Sequence, residues 1–139
     1  MLYARRGALN IKRVALIIIS LAFIGAGLNH FLNEDFYISI MPPYLPAHLE
    51  LVYISGVLEM LGGLALLITR LRRIAGLGLM LLTIAVFPAN IHMALHPELY
   101  ADVASVEALY IRLPLQLVIL AWLYWVSQQP SAKERRSNV

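Results

Sequence analysis

Four long apolar segments constrain this chain of 139 residues more than any other feature. They occupy about residues 14–31, 49–68, 74–95 and 108–126. Each is close to the roughly 20 residues that a helix needs to cross a bilayer. Hydrophobic residues make up 60% of the chain and charged residues 14%, whereas a soluble domain has about 45–50% and about 25%. The sequence therefore predicts an all-α membrane protein, a four-transmembrane-helix bundle in a lipid bilayer.

The basic residues predict how this bundle is oriented. Of the 11 Lys and Arg residues, all but Arg112 precede the first apolar segment, separate the second from the third, or follow the fourth. Such loops stay on the cytoplasmic side. We therefore expect an N-in/C-in protein with a basic cytoplasmic N-terminus (1–13), a membrane domain (14–126) and a polar cytoplasmic tail (127–139). The same asymmetry explains the net charge of +3 without a nucleic-acid partner.

Glu59 is the polar residue that most needs an explanation, because it lies in the middle of the second apolar segment. A carboxylate at that depth costs about 2.5–3.5 kcal/mol on insertion scales, so it is expected to be paired, protonated or beside a cavity. Gly56, Glu59 and Gly63 are spaced three and four apart and share one helix face. Small residues on a face allow close helix packing, so Glu59 is predicted to point into the bundle.

Other polar residues lie at depths that suggest a common site. With a rise of about 1.5 Å per residue, Gln116 lies near the depth of Glu59, whereas the two histidines lie roughly 10 Å nearer the outer surface. The inner half of each segment is almost wholly apolar, which predicts a pocket that opens outward. The candidate ligand-binding residues are Glu59, Asn90, Arg112, Gln116, His30 and His92.

Each of these residues also has a purely structural interpretation. Glu59 either handles protons or ligand, or it pairs with Arg112, or it is a protonated carboxyl bonded to Gln116 or Asn90. Arg112 alternatively extends to the membrane interface, and the two amides alternatively join helices. A two-histidine, one-carboxylate metal site is not predicted, because the histidines lie so far from Glu59 in depth. We assign no catalytic residue.

Two further features leave alternatives open. The apolar segment 36–41 is followed by Pro42, Pro43 and Pro46, which disfavour regular helix; it forms either an interfacial loop or a lid over a cavity. The glycines of the spans, such as Gly25 and Gly27, either pack the bundle or dock a partner helix.

Five motifs together resemble the DoxX family of small bacterial membrane proteins, over roughly residues 14–126. They are Gly-Leu-Asn-His-Phe (27–31), Pro-Pro-Tyr-Leu-Pro (42–46), Ser-Gly-Val-Leu-Glu-Met-Leu-Gly-Gly (55–63), Phe-Pro-Ala-Asn-Ile-His-Met (87–93) and Arg-Leu-Pro-Leu-Gln (112–116). The resemblance implies a multi-pass protein of the bacterial inner membrane that accompanies redox enzymes. It also implies that Glu59, Asn90, Arg112 and Gln116 are the polar motif residues. Because the chain has no cysteine, a thiol-based reductase mechanism does not carry over.

These observations favour a protein that binds a quinone or another lipophilic small molecule and serves an oxidoreductase system. We expect an accessory protein or subunit with a redox partner, more than a self-sufficient enzyme. In this hypothesis Glu59 exchanges protons, Arg112 sets its charge state, and Gln116 and Asn90 donate hydrogen bonds to ligand carbonyls. The alternatives are a proton-coupled transporter of small molecules and a non-catalytic assembly or anchoring partner. Ligand identity and homo-oligomerisation stay open.

Overall fold

The computed structural model describes residues 2–128, with side chains from residue 11 onward. This part of the chain is all-helical, as predicted. The elements are α1 (Leu2–Leu32), α2 (Glu34–Ser39), α3 (His48–Leu67), α4 (Arg72–Leu95), a 3-10 helix (Pro97–Tyr100) and α5 (Val106–Ser127). Most of the predicted polar tail (127–139) lies outside the described residues.

Four of these helices are long and apolar enough to cross a membrane. The apolar stretches are Ile11–Leu32, His48–Leu67, Arg72–Leu95 and Val106–Ser127. Many of their large apolar side chains face outward, such as Ile74 and Leu81, which are 71% and 67% exposed. Because hydrocarbon surrounds a spanning helix, such a surface is the expected one in a bilayer. The structure therefore supports the prediction of a multi-pass membrane protein.

The four long helices form a ring in which each contacts two neighbours. α1 packs on α3, α3 on α4, α4 on α5, and α5 closes the ring against α1. α3 and α5 therefore lie diagonally. One end of the bundle has an apolar core that includes Leu16, Leu66, Leu79 and Leu123. At the same end the Trp122 Nε1 donates a hydrogen bond of 3.2 Å to the Ala15 carbonyl oxygen.

Glycines allow two of these helix pairs to approach closely. A Cβ atom added to Gly56 would lie 2.9 Å from the Gly27 carbonyl oxygen, so the backbones of α1 and α3 touch there. Gly76 packs against the Ser127 side chain between α4 and α5. A Cβ at Gly25 or Gly78, in contrast, would have no described atom within 4 Å. Gly27 and Gly76 therefore pack the bundle itself.

The connection between α1 and α3 contains a short helix, whereas the sequence predicts a loop there. α2 spans only Glu34–Ser39, and two acidic residues occupy its first turn, where the helix dipole favours negative charge. The chain then turns at the buried Pro42, whose carbonyl oxygen lies 3.2 Å from the Nε2 of His48. Ala47 precedes α3 with φ 53°, a left-handed conformation.

Candidate ligand-binding pocket

A pocket of about 510 Å³ lies between α3 and α4, with the α1–α3 connection across one end. Its size falls in the range of about 300–1,000 Å³ that is typical of small-molecule sites. The lining side chains are mostly apolar. They are His30, Tyr37, Ile40, Met41, Tyr44, Leu45, Leu51, Val52, Ile54, Ser55, Leu58, Glu59, Leu82, Ala85, Val86, Pro88, Ala89, Asn90 and Met93.

His30 and Glu59 form the polar end of this pocket. The Nε2 of His30 lies 3.5 Å from the Oε2 of Glu59, and the two side chains are 10% and 17% exposed. The expected separation of roughly 10 Å in depth is therefore wrong for His30. A depth counted along each helix from its end assumes that the helix ends are level, whereas α1 ends well below the start of α3. The Oε2 of Glu59 is buried and has no hydrogen-bond partner among the described residues.

The backbone of α3 fixes which nitrogen of His30 carries a proton. The Nδ1 lies 2.8 Å from the Val52 carbonyl oxygen and 3.1 Å from the Ser55 Oγ. A carbonyl oxygen only accepts hydrogen bonds, so we assign the Nδ1 as the donor. The Nε2 then faces Glu59 with its lone pair when the ring is neutral. One proton, on Nε2 or on the carboxyl group, is therefore enough to join the pair.

The glycine contact explains how His30 reaches this position. His30 follows Gly27 by three residues, so both lie on the face of α1 that meets α3. A Cβ atom at Gly56 would be 2.8 Å from the Cβ of His30. The imidazole also contacts the ring of Tyr37 of α2, whose centroid is 3.8 Å away. A larger residue at position 56 would push His30 away from Glu59.

Asn90 and Gln116 are joined, and only Asn90 lines the pocket. The Asn90 Nδ2 donates a hydrogen bond of 2.7 Å to the Gln116 Oε1, and the Gln116 Nε2 donates to the Thr83 carbonyl oxygen. Gln116 is 4% exposed. Gln116 therefore supports α4 and orients Asn90.

Arg112 does not line the pocket, and it does not form the ion pair with Glu59 that was one of the interpretations of the sequence. Its Nη1 is 3.7 Å from the sulfur of Met93, and no ion pair involves it within the described part of the chain. The reason is topological. Arg112 is on α5 and Glu59 on α3, and these helices occupy diagonal positions in the ring.

His92 also points away from the pocket, as its spacing of two from Asn90 suggests. It belongs to a separate cluster at the α4 terminus, where its Nδ1 lies 3.1 Å from the Tyr100 hydroxyl and its ring packs near Tyr44 and His96. Burial, and secondly the nearby Tyr44, raises the pKa of Tyr100. Within residues 2–128, no group of three or more acidic, His or Cys side chains could hold a metal ion.

Sequence reasoning overlooked Ser55 and Tyr37, which both contact the His30 ring. The signal for Ser55 was present, because it precedes Glu59 by four residues and so shares its helix face. Tyr37 gave no such signal, since its place depends on how α2 folds back over α3.

A comparison with protein families adds one finding. The family described as "Domain of unknown function (DUF8561)" matches residues 19–127, which include all of the pocket lining. The chain therefore belongs to the DUF8561 family. Searches of curated proteins and of solved structures gave no match.

Proposed function

We propose that this DUF8561 protein binds a lipophilic small molecule, with a quinone as the first candidate, in the pocket between α3 and α4. The observation that carries the proposal is a mainly apolar pocket of about 510 Å³ with one hydrogen-bonding end, built by His30 and Glu59. Apolar walls with a few placed polar groups are typical of small-molecule sites.

The chemistry of the polar end suits a ligand that alternates between carbonyl and hydroxyl. With a proton on Glu59 or on the His30 Nε2, the pair can donate a hydrogen bond to a carbonyl oxygen. Without that proton, either group can accept one from a hydroxyl. Asn90 adds an amide in the same lining. A quinone becomes a hydroquinone by taking two electrons and two protons; we propose that a redox partner supplies the electrons and that the Glu59–His30 pair passes on the two protons one after the other, taking each from water.

The proposal assigns the protein to a DoxX-like role as an accessory or subunit in the bacterial inner membrane. Support comes from the motifs 55–63 and 87–93, which contribute Ser55, Glu59 and Asn90 to one pocket. The core around Leu66, Leu79 and Leu123 fills the bundle beyond the pocket, which favours a binding site over a proton-coupled transport path.

Quinone occupancy tests the proposal. We would purify the wild-type protein, Glu59→Leu and Glu98→Leu in native-lipid nanodiscs and measure quinones in the extracts by mass spectrometry; leucine, unlike glutamine, has no group that can donate or accept a hydrogen bond. Glu98 is a matched control, because its side chain is exposed and outside the pocket. Removing one partner of a buried hydrogen bond costs about 1–3 kcal/mol, so Glu59→Leu should hold at least about fivefold less quinone. If the wild type carries no quinone and binds none when it is added, the proposal is wrong.

The proposed N-in/C-in orientation has a separate test. Because the chain has no cysteine, a single introduced cysteine reports its own side of the membrane. With a membrane-impermeant maleimide added outside spheroplasts, Glu98→Cys should be labelled and Arg70→Cys protected. The opposite labelling pattern would show that the N-in/C-in orientation is wrong.

A further inference from the structure

The α1–α3 connection lies across one end of the pocket, and exposed apolar side chains line one side of it. At the end where α3 begins, Ile40, Met41 and Leu45 cover it, and this segment is tied to α3 through the contact between His48 and the Pro42 carbonyl oxygen. Tyr44 lies at the same end, with its ring 5.5 Å from that of His92. A ligand that came from water would have to displace this covering segment.

The open side lies between α3 and α4. On α3, Ile54 and Leu58 line the pocket although they are 56% and 48% exposed. On α4, Ala85 and Val86 are likewise both lining and exposed. Leu58 lies ten residues from the start of α3 and Ala85 ten from the end of α4, which places them roughly 15 Å along their helices. The opening therefore lies within the membrane-spanning length.

The four residues named at this side opening are all apolar, whereas the side chains of His30 and Glu59 are more buried, at 10% and 17% exposed. A purely polar ligand would leave the opening unfilled, and a wholly apolar one would leave the buried Oε2 of Glu59 with no partner beyond His30, 3.5 Å away. A buried polar group without a full set of hydrogen-bond partners is destabilising. The lining thus matches an amphiphile with a polar ring and an apolar tail.

We infer that the ligand is a tailed membrane amphiphile whose ring lies at His30 and Glu59 and whose tail leaves the pocket between α3 and α4 into the bilayer. The inference rests on the proposed function and adds the route and the shape of the ligand. It also implies that the ligand arrives from the lipid phase and not from the aqueous side.

Photolabelling locates the tail directly. The probe is a dimethoxy-methyl-benzoquinone with a decyl chain that carries a diazirine near its middle, bound to the protein in nanodiscs. Peptide mass spectrometry should find the label on Ile54, Leu58, Ala85 or Val86. Competition by the unlabelled decyl compound should remove it. Specific labelling of Ile40, Met41 or Leu45 instead would show that the tail points to the covered end and would overturn the inference.

A pair of tryptophan variants tests the opening itself. Ala85→Trp places a large ring in the opening, and Ile84→Trp places one on the adjacent lipid-facing surface, where Ile84 is 53% exposed and outside the lining. We expect Ala85→Trp to weaken the decyl compound about tenfold relative to the tailless ring, and Ile84→Trp to leave the ratio unchanged.

The outcomes separate this inference from the proposed function. If both compounds bind the wild type and Ala85→Trp weakens both equally, the proposed exit of the tail between α3 and α4 is wrong, but the proposed binding pocket is still supported. If Ala85→Trp instead abolishes a wild-type dimer, as measured by light scattering, the opening is an interface between copies and the inference is also wrong. If neither compound binds the wild type, the proposed function itself is wrong.

Discussion

Gly27→Ala tests the backbone contact on which the pocket depends. An alanine Cβ at this position would lie 2.9 Å from the Met60 backbone nitrogen and closer still to the Gly56 carbonyl oxygen. Ordinary C···O contacts are about 3.3–3.6 Å, so α1 and α3 would have to separate by about 1 Å. Overpacking of this kind costs about 1–3 kcal/mol, and the better helix propensity of alanine returns about 0.5–1 kcal/mol. We expect a net loss of about 1–2 kcal/mol.

Gly25→Ala is the matched control, because it lies two residues away on the same helix. No described atom lies within 4 Å of a Cβ atom added there. The overpacking cost is therefore absent, and only the gain from removing a flexible glycine remains, between zero and about 1 kcal/mol. The difference between the two variants, about 1–3 kcal/mol, cancels effects that any glycine-to-alanine change in α1 would have.

The assay is unfolding of the purified proteins in mixed micelles by sodium dodecyl sulfate, followed by far-ultraviolet circular dichroism. Quinone occupancy gives a second readout, since a shift of α1 against α3 moves His30 relative to Glu59. Gly27→Ala should lower both stability and occupancy, and Gly25→Ala neither. Equal stability of the two variants would refute the close α1–α3 contact, and with it the argument for how His30 is positioned.

Three further predictions use other parts of the site. Gln116→Leu removes the link between Asn90 and the Thr83 carbonyl oxygen and should destabilise the protein by about 1–2 kcal/mol in the same unfolding assay; an unchanged midpoint would contradict this. Arg112→Met should leave quinone occupancy within about twofold, because Arg112 is outside the pocket lining, and a tenfold loss would restore Arg112 to the site. Ala47→Gly should stabilise the protein by about 0.5–1 kcal/mol, because φ 53° strains an L-residue by about 1–2 kcal/mol and glycine has a larger entropy to lose; a lower unfolding midpoint would show that the strain is not there.

The long helices could be predicted from the sequence because their signal is local. In a bilayer, an apolar run of about 20 residues has one low-energy arrangement, which is a spanning helix whose backbone hydrogen bonds are satisfied within the helix. Six-residue α2 has no such signal, since its sequence suits an interfacial loop equally well. Its helical form depends on contacts with α1 and α3, such as the hydrogen bond from the Tyr53 hydroxyl to Glu34.

The site could be predicted only in part, because residue depth and helix neighbours are different kinds of information. The spacing of Gly56 and Glu59 placed the carboxylate on an inward face, which depends on one helix alone. The partner of Glu59 depends on which helices are adjacent, and α3 packs on α1 and α4, whereas α5 lies diagonally across the ring. Depth alone allows Arg112 as the partner, but the structure puts His30 of the adjacent α1 beside Glu59.

Axial stagger explains both the error for His30 and the existence of the pocket. His30 lies two residues from the end of α1, whereas Gly56, which it contacts, lies eight residues into α3. At about 1.5 Å per residue, α3 extends roughly 9 Å beyond α1. α1 cannot cover this overhang, so α2 and the proline-rich segment fold over it, and their side chains become the end wall of the pocket. A longer α1 would have occupied the same space with packed side chains, so the early end of α1 leaves room for a ligand.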